Sequence, residues 1–84
     1  MIPYKVIIPS KPEAQLKKLP DEFQKRILNK LIITQEDPFC YFIRLKDRQD
    51  YKLRIGDYRV IADINPSERT IEITKIGHRK KVYK

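Results

Sequence analysis

Four basic side chains, Lys52, Arg54, Arg59 and Arg79, are the residues of this sequence best placed to do chemistry, and three of them fall on one predicted hairpin. The segment Tyr51-Lys52-Leu53-Arg54-Ile55-Gly56-Asp57-Tyr58-Arg59-Val60-Ile61 alternates apolar and polar residues about Gly-Asp, a pair suited to the positive-φ turns that close two-residue hairpins. Such a loop fixes the register. Ile55 faces Tyr58, Leu53 faces Val60 and Tyr51 faces Ala62, so one side of the ribbon is apolar and packs inward. The other side sets Arg54 opposite Arg59, with Lys52 one step along. Like charges directly opposite one another destabilise a strand pair, so a chain that keeps them points to a polyanion that neutralises them, phosphate first. The competing reading is an exposed basic sheet face with no task.

RNA carries its own nucleophile, the 2′-hydroxyl beside the scissile phosphate. Cutting there needs a base for that hydroxyl, cations for the charge that develops on phosphorus, and an acid for the leaving 5′-oxygen. A cationic cluster supplies the second. A lysine crowded by cations also gives up its proton more readily, which makes Lys52 a candidate base, whereas the guanidinium of Arg54 is a poor one. His78 is the only histidine, so no cluster of histidines and acids offers itself for a metal. Arg79 also reads as an ion-pair partner of Asp57 or Asp63, and His78 as a local hydrogen-bonding group at a strand end. Tyr83 either packs on the core or stacks on an exposed base. Lys46, Arg48, His78, Lys80 and Lys81 are further candidates for contact with RNA.

The elements that position these residues follow from the rest of the chain. Tyr4 to Ile8 is a β-rich run. Ser10-Lys11-Pro12-Glu13 has the spacing of a capping box and predicts a short helix to about Lys18. Pro20-Asp21-Glu22 starts a second helix, in which Phe23, Ile27, Leu28, Leu31 and Ile32 recur at helical spacing until Pro38. That stripe is read as the helix's seat on its own sheet, with a partner-binding face as the alternative. Cys40, inside Phe39-Cys40-Tyr41-Phe42-Ile43, is read as a small buried core residue. From Tyr41 onward the pattern is strands. In the last of them Ile71 and Ile73 alternate while Ile76 falls out of phase, and a bulge near Thr74 or Lys75 restores Ile76 to the core and carries Arg79 to the cationic face. The expected fold is α+β: a small antiparallel sheet of about four strands with two N-terminal helices on one face, in the order β-α-α-β-β-β, as a single domain over residues 1–84.

Composition agrees. The chain has 84 residues and a formal charge of +8, and the part after Ile43 holds 12 basic and 6 acidic residues against 7 and 5 before it. A domain of this size has little interior for a deep pocket, so any active site is expected to be an open groove. The field attracts nucleic acid, acidic protein or an anionic membrane surface alike. One cysteine, no span-length apolar run and no signal peptide give a reduced, cytoplasmic protein as the expectation.

The hairpin, together with Ile76-Gly77-His78-Arg79-Lys80-Lys81-Val82-Tyr83, resembles the RelE branch of the RelE/ParE toxin superfamily, and the resemblance extends over nearly the whole chain. It implies a RelE-like fold and a toxin of a type II toxin–antitoxin pair that enters the ribosomal A site, cleaves mRNA there without a cofactor, and is held inactive by a RelB-like acidic antitoxin in an oligomeric complex. Lys52 and Arg54 match the family's basic pair that orients or deprotonates the 2′-hydroxyl. Arg59 matches the arginine that holds the scissile phosphate, Arg79 the one that stabilises the transition state or protonates the leaving group, and Tyr83 a tyrosine that stacks on substrate. The resemblance departs at Arg54, where the best-studied members carry lysine, leaving Lys52, His78 or a slower route in place of that base. A ParE-like gyrase inhibitor and a small RNA-binding module without catalysis are the competing functions.

Overall fold

The computed structural model describes residues 2–46 and 49–82. Its elements are β1 (Lys5–Ile7), α1 (Ser10–Lys17), α2 (Asp21–Thr34), a 3-10 turn (Pro38–Cys40), β2 (Ile43–Arg44), β3 (Tyr51–Ile55), β4 (Tyr58–Asn65) and β5 (Thr70–His78). The sheet runs β1-β5-β4-β3-β2. It has five strands rather than about four, because two residues of the Tyr41 region pair with the start of β3 as β2. It is mixed rather than antiparallel, because β1 lies parallel to β5, a pairing that a period-2 pattern cannot specify.

The core forms between the helices and one sheet face. Leu16 of α1 and Ile27 and Leu31 of α2 pack with Leu53, Ile55, Val60, Ala62, Ile64, Ile71, Ile73 and Ile76, each large aliphatic side chain contributing about 1.5–3 kcal/mol by leaving water. α1 starts differently from its sequence signature. Pro9, not Ser10, is the N-cap, no side chain caps the end, and the Glu13 amide is taken by the Pro9 carbonyl. The ring of Pro9 fixes φ at −64° and its ψ of 170° is the extended value an N-cap takes, so Ser10 moves into the first turn. α2 likewise begins after Pro20, with Asp21 and Glu22 in its first turn.

The predicted stripe on α2 divides. Ile27 and Leu31 are buried and Phe23 packs on Tyr58, but Leu28 is 40% exposed and Ile32 63%. They flank a cavity of about 370 Å³ that Val6 and Ile8 share. The sheet covers only part of the α2 surface, since β1 is three residues long. Cys40 is also not in the core. It is exposed, with Phe42 the buried member of its run and Pro38 buried just before it.

Candidate functional site

The hairpin register is the one its turn dictates. Ile55 faces Tyr58, Arg54 faces Arg59, Leu53 faces Val60 and Tyr51 faces Ala62. Gly56 has φ of 57° and Asp57 has no positive φ, so only the first central residue needs the left-handed region, as in a II′ turn. The two facing arginines are not equivalent. Arg54 is exposed, whereas Arg59, expected on the open face, is only 7% exposed. Its Nη1 donates to the Gly56 and Tyr58 carbonyls, both at 2.9 Å, which folds the guanidinium back against the turn. Strand alternation puts Arg59 on the outer face. The backbone of its own hairpin then fixes where on that face the charge sits.

Arg79 arrives at the same end of the sheet through a bulge. Ile61 pairs with Lys75 and Ala62 with Ile73, so Thr74 is the extra residue, its hydroxyl donating to the Ile61 carbonyl at 3.2 Å. The bulge returns Ile76 to the core, as its sequence phase requires. It also lets the Arg79 amide bond the Asp57 carbonyl at 2.8 Å, which ties the C-terminal turn to the hairpin tip. The Arg79 side chain reaches Asp57 at 4.0 Å, with 50% and 70% of the two side chains exposed. An ion pair that long and that wet contributes little and leaves the guanidinium available. Lys52, half-buried, shares this face with Arg54 and Arg59.

The outer face is less polar than its sequence suggests. Ile61 is buried there beside Lys52, and Val82 folds back so that its side chain lies 3.8 Å from where a Cβ on Gly77 would be. Past the bulge the face turns acidic: Asp63 stands opposite Glu72, both exposed.

A model of the ParE toxin of the type II toxin–antitoxin system parDE matches residues 6–83. The chain belongs to this toxin family. Within the RelE/ParE superfamily its structural likeness is to RelE. It superposes on the toxin of the RelBE2 toxin–antitoxin complex from Mycobacterium tuberculosis with a TM-score of 0.85 at 22% identity, covering 93% of this chain and 100% of that one. For the archaeal RelE–RelB complex from Pyrococcus horikoshii OT3 the TM-score is 0.81 at 28% identity, covering 96% and 100%. For the isolated RelE toxin of E. coli it is 0.76 at 16% identity, covering 89% and 83%. No curated protein sequence matches significantly.

The toxin does not gather all its candidate residues. His78 stands opposite Tyr58 and meets its ring edge-on at 5.8 Å, on the helix side of the sheet and away from Arg59. Its Nδ1 accepts the Lys80 amide at 3.2 Å, the local hydrogen bond that a lone strand-end histidine suggests. Lys80 and Lys81 are exposed in the C-terminal turn near the arginines. Lys46 is exposed in the turn after β2, at the end of β3 remote from the hairpin tip. Arg48 and Tyr83 lie outside the described residues.

Cys40 makes no nucleophile in this toxin. Its Sγ–H donates to Asp37 Oδ2 at 3.1 Å, and that hydrogen bond, with the carboxylate's charge, pushes the thiol pKa up and withholds the thiolate. Among the described residues no three His, Cys, Asp or Glu side chains come together as a metal site, and no helix is long and apolar enough to cross a membrane. Sequence reasoning missed Arg26, Asn29 and Lys30. They line a cleft with Arg54 between α2 and the hairpin, and their helical spacing was visible, but not which strand edge that spacing would meet.

Proposed function

We propose that this toxin is a ribosome-dependent endoribonuclease that cuts mRNA in the A site by attack of the RNA's own 2′-hydroxyl. One observation carries the reading: a guanidinium at low exposure, Arg59, faces a second arginine and is held by main-chain carbonyls, with no carboxylate in ion-pair contact among the described residues. A charge fixed in advance, needing no reorganisation as the phosphorane forms, is what electrostatic catalysis requires. In this mechanism Arg59 and Arg54 hold the scissile phosphate, and Lys52 takes the 2′-hydroxyl proton. Arg79 meets the leaving 5′-oxygen. His78 has no part as base, since it faces the helices.

A second reading has support of its own. The matching family model is that of ParE, which keeps inhibition of gyrase as the alternative activity. One experiment separates the two. Purified toxin is added to translating ribosomes and the mRNA ends are mapped, with a parallel supercoiling assay on gyrase. The ribonuclease reading expects cuts bearing 2′,3′-cyclic phosphate, abolished when the cut position carries 2′-deoxyribose. Cleavage of that deoxy substrate, or supercoiling inhibition without mRNA cuts, would sink it.

The partner we propose is a RelB-like acidic antitoxin, as in the Pyrococcus horikoshii complex. The apolar cavity between α2 and β1, flanked by Leu28 and Ile32, suits its salt-resistant anchor, while the +8 charge suits an acidic chain at the rim. Leu28→Lys with Ile32→Glu should abolish co-purification with the neighbouring acidic gene product and leave toxicity intact. Undiminished co-purification would move the anchor elsewhere.

A further inference from the structure

The cleft between α2 and the open edge of β3 is a second cationic site, of which the proposed chemistry uses only Arg54. β2 pairs with Tyr51 and Lys52, so among the described residues no strand lies beside the edge of β3 from Leu53 to the hairpin tip. α2 runs past this gap and lines it with Arg26, Asn29, Lys30 and Ile33, the i, i+3, i+4 and i+7 positions of one helical face. Arg54, Ile55 and Gly56 line the opposite wall of a cleft of about 380 Å³. Three cations therefore converge, no carboxylate lines the walls, and none of the three is in an ion pair among the described residues.

Two of these cations are held in place. The Arg26 guanidinium stacks 5.4 Å from the Phe23 ring centre and reaches to 3.7 Å of the Cβ position on Gly56, while Lys30 Nζ sits 5.1 Å over Tyr41. Cation–π contacts fix where a charge sits without neutralising it. Holding long side chains in advance lowers the entropy that binding must overcome. Ile33, half-exposed, and the buried Ile55 supply the apolar part of the lining. Arg54 belongs both to this cleft and to the outer-face pair with Arg59, so the cationic surface continues around the β3 edge without a break.

We infer that this cleft binds the phosphodiester backbone of RNA, away from the bond that is cut. The inference rests on the ribonuclease reading for its ligand. RNA is favoured over an acidic peptide because the cleft is continuous with the proposed phosphate site. The RNA is either the messenger strand leading from the cut or ribosomal RNA beside it.

The test compares Arg26→Gln/Lys30→Gln, the charge-keeping Arg26→Lys/Lys30→Arg, and Arg59→Met. Each is titrated, over a range of salt, against a single-stranded RNA protected from cleavage by 2′-O-methyl groups, and each is sedimented with small ribosomal subunits. Single-strand phosphate contacts each contribute about 0.7 to the salt slope, or a factor of about five at 0.1 M salt relative to 1 M. The glutamine pair should lower affinity for the oligonucleotide about 25-fold and its salt slope by about 1.4, with the charge-keeping pair restoring most of both. Loss in that arm assigns the messenger strand; loss confined to co-sedimentation assigns ribosomal RNA. If both arms are unchanged in the glutamine pair while Arg59→Met is impaired, the cleft proposal is overturned and the ribonuclease reading stands. If neither variant changes either arm, the RNA reading falls with it. If the glutamine pair loses only its acidic protein partner, the cleft is a peptide site and the proposal is wrong. Melting midpoints well above the assay temperature for all three variants verify that binding, not folding, was changed.

Discussion

The outer face of the sheet carries a like-charge pair at each end, Arg54 opposite Arg59 near the hairpin tip and Asp63 opposite Glu72 beyond the bulge. Both violate the rule that facing like charges weaken a strand pair. Violation alone is therefore no mark of a site. What separates the ends is the state of the charges. Asp63 and Glu72 are both exposed and screened by water, whereas Arg59 is nearly buried and pinned through Nη1 to two carbonyls. A solvated pair is a tolerable cost of having two acids on a surface. A charge held at low exposure is kept against a larger cost and is aimed, which makes the hairpin end the functional one.

Thr74 keeps the two ends apart by setting the register of the strand that follows it, and shifting that register by one residue should have the largest effect on the molecule. With an alanine inserted between Lys75 and Ile76, the chain from Ile76 onward pairs out of phase, so Ile76 faces outward and the alanine takes its place in the core. An alanine in place of a buried isoleucine costs about 2–5 kcal/mol. For a domain of this size at least about 2 kcal/mol should lower the melting midpoint by about 8 °C or more. Deleting Thr74 should be milder, because Lys75 then follows Ile73 in regular alternation and Ile76 stays opposite Val60. An insertion that melts within a few degrees of the parent would mean that this register is not what sets the faces.

That bulge was legible in the sequence because Ile71, Ile73 and Ile76 cannot share one face of a regular strand. The hairpin register was legible because a two-residue turn leaves no choice. The parallel β1–β5 pairing was not, since it joins segments more than sixty residues apart with no local signal. The division of the α2 stripe was hidden for a related reason: periodicity says that Leu28 and Ile32 lie beside Ile27 and Leu31, but the length of the strand opposite decides which of them it covers. Burial of Arg59 escaped because alternation gives the face and says nothing of the carbonyls a long side chain turns to. Cys40 was misread from apolar neighbours, when Asp37 three residues earlier offered its thiol an acceptor at the surface.

The functional side of the comparison breaks if the two pairs matter equally to activity. Arg59→Met and Arg79→Ala should each reduce mRNA cleavage by about 100-fold or more, the effect of removing one preorganised donor. Asp63→Asn and Glu72→Gln should leave it within a factor of a few. Stability should separate the two arginines. Arg59→Met gives up hydrogen bonds to Gly56 and Tyr58, each contributing about 1 kcal/mol net, partly offset by relief of the charge opposite. Arg79→Ala loses only the long, exposed contact to Asp57 and should melt like the parent. Equal loss of stability in both, with cleavage falling in proportion, would make the arginines structural.

The smallest effect is the repulsion itself, and salt reads it out. Arg54→Thr and Asp63→Thr each remove one member of a facing pair and install a good strand former. Each should raise stability by a few tenths to about 1 kcal/mol. Part of either gain is strand propensity, which salt does not touch, and the rest is relieved repulsion, which it screens. Between exposed charges such as Asp63 and Glu72 the screening is nearly complete once the Debye length shrinks to about 3 Å at 1 M salt. Arg59, close against the protein and away from bulk solvent, is screened less. The advantage of Arg54→Thr over the parent should therefore persist from 0.05 M to 1 M salt, while that of Asp63→Thr declines toward its propensity component. Melting curves at the two salts decide it. If both advantages decline alike, Arg59 is as well solvated as the acids, and the burial that distinguishes the hairpin end has no electrostatic consequence.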